Sequence, residues 1–273
     1  MKLEIVGGII LVEAEINARP ARMVLDTGAQ RSVVTPAAVA RLGLALDEWV
    51  ATTMRGVGGI ERRRNALPRS LSLGGVRLAR RTTTADTSLT VATLPSDTAA
   101  GRPIDGLLGR DYLALFDLAL DMQDRSVALF DTAGCAGAFL PPPYVALPAQ
   151  NPADTALLVQ IELDGVPLRA LLDTGASRTT IGAPGIARLG LTAERLAGDP
   201  ARSLTGLGAN TVSAHAHRFA RLRVGPDVTE QPTLTIAPIR IVPTADALLG
   251  ADWLAGRRVW ISFTTRQVFL ARP

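Results

Sequence analysis

Ile9–Leu44, "IILVEAEINARPARMVLDTGAQRSVVTPAAVARLGL", and Ala156–Leu191, "ALLVQIELDGVPLRALLDTGASRTTIGAPGIARLGL", align without a gap. Pro20/Pro167, Arg22/Arg169, the whole Asp-Thr-Gly-Ala and the closing Ala-Arg-Leu-Gly-Leu are identical. A second pair follows in the same order: Ile104–Phe130, "IDGLLGRDYLALFDLALDMQDRSVALF", matches Ala245–Ala271, "ADALLGADWLAGRRVWISFTTRQVFLA". Between them lie "RGVGG" (Arg55–Gly59) and "TGLGA" (Thr205–Ala209). Two long, unlike copies exclude a solenoid of short repeats and predict two pseudo-symmetric lobes facing each other.

The halves are about 1–131 and 151–273. The span between them, 132–150, holds Pro141-Pro142-Pro143 and reads as an extended connector. Ile9–Ile16 is strand-like, Asn17-Ala18 and Asp164-Gly165 suit hairpin turns, and Arg22–Leu25 returns as a strand. Ser32–Val34 is β-branched. Pro36–Leu42 predicts one short helix ending at Gly43. Leu71–Leu78 carries a Gly-Gly turn, and Thr82–Thr93 is β-prone. Leu107-Leu108 reads as a buried strand, Arg110–Leu115 as a helical turn and Val127–Phe130 as a closing strand. Many short strands with few helices predict an all-β protein.

The chemistry sits in the repeated loop. An Asp ending an apolar strand is desolvated unless something compensates it. Thr27 offers a hydroxyl, and Gly28 and Ala29 offer N–H groups in a tight turn. Gly28 also permits close approach that a side chain would block. About a twofold axis, Asp26 and Asp173 meet. Two carboxylates in contact share one proton, so one polarises a carbonyl while the other activates a water. A single Asp-Thr-Gly arises by chance in about one chain of this length in twenty. Two copies, each after "VL" or "LL" and each followed by a Leu-Leu-Gly segment, are not explained as ordinary turns.

At these residues the chain resembles the retropepsin-like aspartic proteases, fused as two lobes in one chain as in the pepsins. The resemblance covers both lobes but not the proline connector. It implies a bilobal acid-protease fold, with an N-terminal lobe of residues 1–131 and a C-terminal lobe of 151–273, each a β-barrel with a short helix. It implies that Asp26 and Asp173 are catalytic, supported by Thr27, Gly28, Ala29, Thr174, Gly175 and Ala176. Thr27 and Thr174 match threonines that reach across to the opposite loop. "GVGG" resembles a flap tip that closes over substrate, so Arg55, Gly56, Val57, Gly58 and Gly59 become candidate flap residues. Thr205, Gly206, Leu207 and Gly208 match less fully and leave one flap or two open. "LLGRDYL" (Leu107–Leu113) resembles the segment beneath the active-site loop. Ala251 stands where the first lobe has Arg110, so any ion pair of Arg110 has no counterpart in the second lobe. The implied activity is endopeptidase, on an extended peptide and by a monomer. The alternative is an inactive peptide-binding or scaffold module of the same fold.

Ala29 and Ala176 lack the hydroxyl with which a serine would lower each carboxyl pKa. The working pH is therefore expected in the mildly acidic to near-neutral range.

Composition excludes other classes. Apolar residues make up 47% of the chain against 20% charged, as in a globular protein rather than a disordered one. A net charge of +4, without a basic stripe bearing aromatics, does not point to nucleic acid. No stretch is long enough for a membrane-spanning helix. Val6–Val12 is apolar behind Lys2, but nearby Glu4, Glu13 and Glu15 and the lack of a clear cleavage site favour a strand over a signal peptide. The arginine and alanine bias suggests a bacterial source, with cytoplasm or periplasm as the compartment. Cys135 is the sole cysteine, so no intrachain disulfide forms. His215 and His217 share one strand face without a third ligand nearby, and "GLGAN" lacks the lysine of a phosphate loop, so no metal or cofactor is expected. Glu61-Arg62-Arg63-Arg64 reads as a solvated strand face or as a device steering acidic substrates. Tyr112 and Trp253 align as core residues behind the acid pair.

Overall fold

The protein is described from a computed structural model that covers residues 1–56, 59–78, 88–95, 98–131, 144–149, 156–207, 210–242 and 244–272. It is all-β and bilobal, with a few helices of four to seven residues.

Each lobe begins with the hairpin that the sequence predicts. Ile9–Ile16 pairs antiparallel with Arg19–Leu25, and Leu158–Leu163 pairs with Val166–Leu172. The turns place Asn17 and Ala18 at φ 53° and 57°, and Asp164 and Gly165 at 49° and 82°. Two consecutive left-handed residues match the twist of the flanking strands. The Asn17 side chain fastens its turn by accepting from the amides of Arg69 and Ser70, at 2.6 and 3.1 Å. Asp164 does the same for the amide of Arg221, at 2.7 Å.

The returning strand then acquires a parallel neighbour. Arg19–Leu25 lies beside Gly106–Leu108, with Leu25 opposite Leu108, and Val33–Val34 flanks it on the far side. In the second lobe Val166–Leu172 lies beside Ala247–Leu249, and Thr180–Ile181 flanks it. These strands are buried on both faces, which is why they read as unbroken apolar runs. Each strand thereby delivers its acid to the end of a rigid central sheet.

The helix Pro36–Leu42 starts on the Thr35 hydroxyl, which accepts from the Ala38 amide, and stops at Gly43 with φ 61°. Its counterpart is Ala183–Arg188. Behind each helix an acid from the second repeat motif takes an arginine. Asp105 accepts from the Arg22 amide at 2.8 Å and pairs with Arg41 at 2.8 Å. Asp246 accepts from the Arg169 amide and from Arg188 Nε, both at 2.9 Å.

The lobes are joined by a five-stranded sheet in the order Ser126–Phe130, Asp117–Asp121, Arg258–Ser262, Gln267–Ala271, Tyr144–Ala146. Tyr144–Ala146 falls in the span read as a connector but forms its edge strand, while Pro141–Pro143 lie outside the described residues. One apolar cluster runs through this sheet into both lobes, with Leu118 and Leu120 beside Val259 and Ile261. Tyr112 and Trp253 are buried in it, and the Trp253 indole donates to Asp227 at 3.1 Å. Of the Thr82–Thr93 region, Leu89–Val91 is a strand, whereas residues 79–87 lie outside the described residues, as does Cys135.

Two hairpins project from the lobes. Ala45–Gly56 pairs with Gly59–Leu67, and Ala201–Thr205 with Thr211–Arg218. The first is a long edge ribbon whose register shifts between Leu46 and Ala51, where Asp47 accepts from the amides of Trp49 and Val50. His215 and His217 lie on the second, where His217 pairs with Asp199 at 2.6 Å. No group of metal-ligating side chains occurs among the described residues.

Candidate active site

Asp26 and Asp173 each follow the last residue of their strand, and their amides donate to Leu108 and Leu249 of the parallel neighbours, both at 3.0 Å. The two loops meet across the axis. A β-carbon on Gly28 would lie 2.3 Å from Asp173 Cγ, and one on Gly175 would lie 2.3 Å from Asp26 Cγ. Each glycine is therefore required by the opposite carboxyl group, because any side chain would occupy its place.

The threonines tie the loops together. The Thr27 hydroxyl donates to the Leu172 carbonyl at 2.8 Å, and the Thr174 hydroxyl donates to the Leu25 carbonyl at 2.6 Å. In return Thr174 Oγ1 accepts from the Thr27 amide at 2.9 Å, and Thr27 Oγ1 accepts from the Thr174 amide at 3.1 Å. All of this is buried. The compensation of Asp26 by the Thr27 hydroxyl, expected from local sequence, is thus corrected: that hydroxyl is fully used across the lobe boundary. Backbone amides hold the acids instead. Ala29 donates to Asp26 at 2.8 Å, while Gly175 and Ala176 donate to Asp173 at 2.9 and 3.1 Å.

Each acid keeps some surface, yet its carboxyl group is packed round by protein. Burial raises Asp26 well above the ordinary carboxylate range. The charge of Asp173 and a hydrogen bond to it raise Asp26 further, against the amides of Ala29 and Gly28. Burial also raises Asp173. Opposing that rise are the amides of Gly175 and Ala176, the hydrogen bond from Asp26 and the charge of Arg110. The pair is therefore unequal, with Asp26 raised further than Asp173, and the two carboxyl groups share one proton. Arg110 is buried and has Ala251 as its counterpart, so its charge acts from one side only.

Beneath each loop lies a glycine that nothing larger replaces. A β-carbon on Gly109 would come within 2.7 Å of the Arg31 backbone, and one on Gly250 within 2.6 Å of that of Arg178. Ser32 and Thr179 next in line are buried and bonded to Asp111 and Asp252. These two acids went unread in the sequence, although the aligned "GRDYL" and "GADWL" carry both.

The hairpin tips come together as well. A β-carbon on Gly56 would lie 2.7 Å from both Leu207 Cβ and the Leu207 carbonyl oxygen, and one on Gly59 would lie 3.1 Å from Asn210 Nδ2. Gly56, Gly59 and Leu207 come together there with Met54 and Glu61. Arg55 is the last residue but one in the first strand of its hairpin, Thr205 ends the first strand of the other, and Gly206 follows it. Val57, Gly58 and Gly208 lie outside the described residues. Leu207 and Met54 pack with Ala29 on the first lobe's second apolar cluster, which links both tips to the loop of Asp26.

No helix among the described residues is long and apolar enough to cross a membrane. In comparison with known proteins, no curated protein matches the chain. An aspartyl protease family description matches it twice, at residues 12–112 and 159–253. The two matches span well over half of the chain and fall one on each lobe, each containing its Asp-Thr-Gly-Ala loop. The chain therefore belongs to the aspartyl protease family, as two retropepsin-like lobes in a single polypeptide.

Proposed function

We propose that the protein is an endopeptidase in which Asp26 and Asp173 together activate a water. The observation that carries this reading is the contact of two carboxyl groups, each cut into the other's loop by a glycine and held by backbone amides. Asp173, the more readily ionised, accepts a proton from the water. The hydroxyl adds to the scissile carbonyl carbon, and Asp26 gives its proton to the carbonyl oxygen. Collapse of the tetrahedral gem-diol returns that proton to Asp26, while Asp173 hands its own to the departing amine. The arrangement needs no covalent intermediate.

The two hairpins act as flaps. Their tips touch, so they must part to admit an extended peptide, whose backbone would pair with their strand edges. Lobes 1–131 and 151–273 each supply one acid, and a monomer suffices.

Digestion of a peptide library, read by mass spectrometry, tests the reading. Wild type should cleave internal bonds, and Asp26→Asn and Asp173→Asn should each lose at least about a thousandfold in kcat/KM. Equal cleavage by wild type and Asp26→Asn would leave only a peptide-binding or scaffold role.

A further inference from the structure

Arg22 and Arg169 fill one position of the repeat, and their amides do the same work, donating to the buried acids Asp105 and Asp246. Their head groups do not. The Arg169 side chain is 32% exposed, and its guanidinium stands 3.6 Å from Asp246. The Arg22 side chain is only 8% exposed, and its guanidinium is spent on the first lobe itself. Nε and Nη2 form a fork on Glu4, at 2.9 and 2.6 Å. Nη1 donates to the carbonyls of Ala99 and Arg102, both at 2.9 Å, and more loosely to that of Pro103, at 3.4 Å.

The two segments that Arg22 joins are far apart in sequence. Glu4 stands on a short strand, Glu4–Val6, that folds back on Ile9–Leu11. Ala99 and Arg102 face each other in a hairpin, Thr98-Ala99 against Arg102-Pro103, turned at Ala100 and Gly101 with φ 52° and 72°. Among the described residues this hairpin pairs with no third strand. The planar guanidinium grips it in place of a ladder, with donors set in fixed directions, which the point charge of a lysine cannot do. The hydrogen bond from Arg22 also holds Glu4 below the usual carboxylate range.

The hairpin carries part of a wall. Ala99, and Ile104 just beyond the hairpin, are buried with Leu94 and Leu107. Packed on the same cluster are Ala29, whose amide holds Asp26, and Met54 and Leu207 at the flap tips. The cluster thus reaches from the loop of Asp26 to the tips, where a peptide held beneath the flaps would lie along it.

We propose that Arg22 is a positioning residue for substrate binding. Anchored on Glu4, it holds the Thr98–Pro103 hairpin, and with it the wall between the Asp26 loop and the flap tips, without touching substrate itself. This rests on the endopeptidase reading of the Asp26/Asp173 site.

Steady-state kinetics on a peptide that wild type cleaves, together with amide hydrogen exchange, tests it in the full chain. Arg22→Met should raise KM about tenfold and leave kcat within about twofold, because a wall that binds ground state and transition state alike moves KM alone. Arg22→Lys, which reaches Glu4 or the carbonyls but not both, should fall between. Glu4→Gln should raise KM less, and adding it to Arg22→Met should raise KM no further, since both act through one contact. Arg169→Met, at the matching position of the other lobe, should keep the wild-type KM. Exchange in Arg22→Met should quicken over residues 98–104 and not over 166–172. Thermal melts verify that each variant is folded. A folded Arg22→Met with wild-type KM, with a loss confined to kcat, or with unchanged exchange over 98–104 overturns the proposal and leaves the endopeptidase reading intact. If wild type cleaves no peptide, that reading fails by itself, and fluorescence anisotropy of fluorescein-labelled library peptides decides the role of Arg22. Binding about tenfold weaker in Arg22→Met than in wild type supports the wall, and equal binding overturns it.

Discussion

The hydroxyl of Thr174 donates to the carbonyl of Leu25, 2.6 Å away and 149 positions earlier in the chain. With its mirror image at Thr27, it makes the docking of the lobes and the placing of the acids one network. Thr27→Val keeps the shape but strands the Leu172 carbonyl and the Thr174 amide. Each buried partner left unsatisfied costs about 1–3 kcal/mol. Urea denaturation should show a lower midpoint, and kcat should fall more than KM rises. Thr27→Ser, which keeps the hydroxyl, should restore most of both. A Thr27→Val protein as stable as wild type would contradict the network.

The acid pair was legible because its signal is local and doubled: apolar strand, Asp, Thr, Gly, twice. What local reading missed is what depends on distance. The Thr27 hydroxyl has a carboxylate for a sequence neighbour and a carbonyl of the other lobe for a partner. Tyr144–Ala146 carries no strand pattern of its own and becomes a strand by pairing with Gln267–Ala271. The hairpin Ala45–Gly56/Gly59–Leu67 escapes alternation because it is an exposed ribbon at a sheet edge, with Trp49 on its surface and three arginines in a row. Among its described residues only Asn65 and Ala66, at its base, are buried, so periodicity has little to report. The short Pro36–Leu42 helix, by contrast, announces itself through Thr35, Pro36 and Gly43.

Asp246 is almost fully buried and takes both an amide and an arginine. Asp105 repeats the arrangement with Arg22 and Arg41. Since both arginine head groups reach solvent, the carboxylate's loss is felt mainly through the stranded amide. Asp246→Ala should destabilise by about 1–3 kcal/mol, visible as a lower urea midpoint at constant m-value. Arg188→Gln should cost less, because the Arg169 amide and guanidinium still face the carboxylate and the glutamine amide can donate to it.

Gly56 and Leu207 meet where the flaps close. A β-carbon at 56 would stand 2.7 Å from Leu207 backbone and side chain, closer than real atoms pack. Gly56→Ala should hold the tips apart, raising KM several-fold with little effect on stability, because only partly buried side chains, Met54 and Leu207, tie the tips to the core. Adding Leu207→Gly removes the clashing Cβ though not the carbonyl, so partial recovery of KM is expected. An unchanged KM in Gly56→Ala would show that tip contact does not bear on binding.

The buried acids also set a stability cost. A carboxyl whose folded-state pKa is raised binds more protons in the folded chain than in the unfolded one, between the two pKa values. Stability therefore falls as pH rises through that window, from the ordinary carboxylate range up to the raised value of Asp26. Asp26→Asn removes the ionisation. It should melt higher than wild type at pH 7, by on the order of 2–4 °C for each kcal/mol recovered, and the gap should close toward pH 3. Calorimetry across pH checks both the sign and the window.

Arg110 bears on which acid is the base. Burial raises Asp173, and the Arg110 charge is among the influences that hold it down. Replacing the guanidinium by a neutral chain of similar length, Arg110→Met, should let Asp173 rise. The acidic limb of kcat/KM, which follows ionisation of the pair, should then move to higher pH. Arg110→Lys keeps the charge and should keep the limb closer to that of wild type. Because Ala251 supplies no second cation, nothing in the other lobe offsets the loss. A limb in Arg110→Met at the wild-type position, in a protein shown to be folded by its melt, would sink the assignment of this charge to the pair.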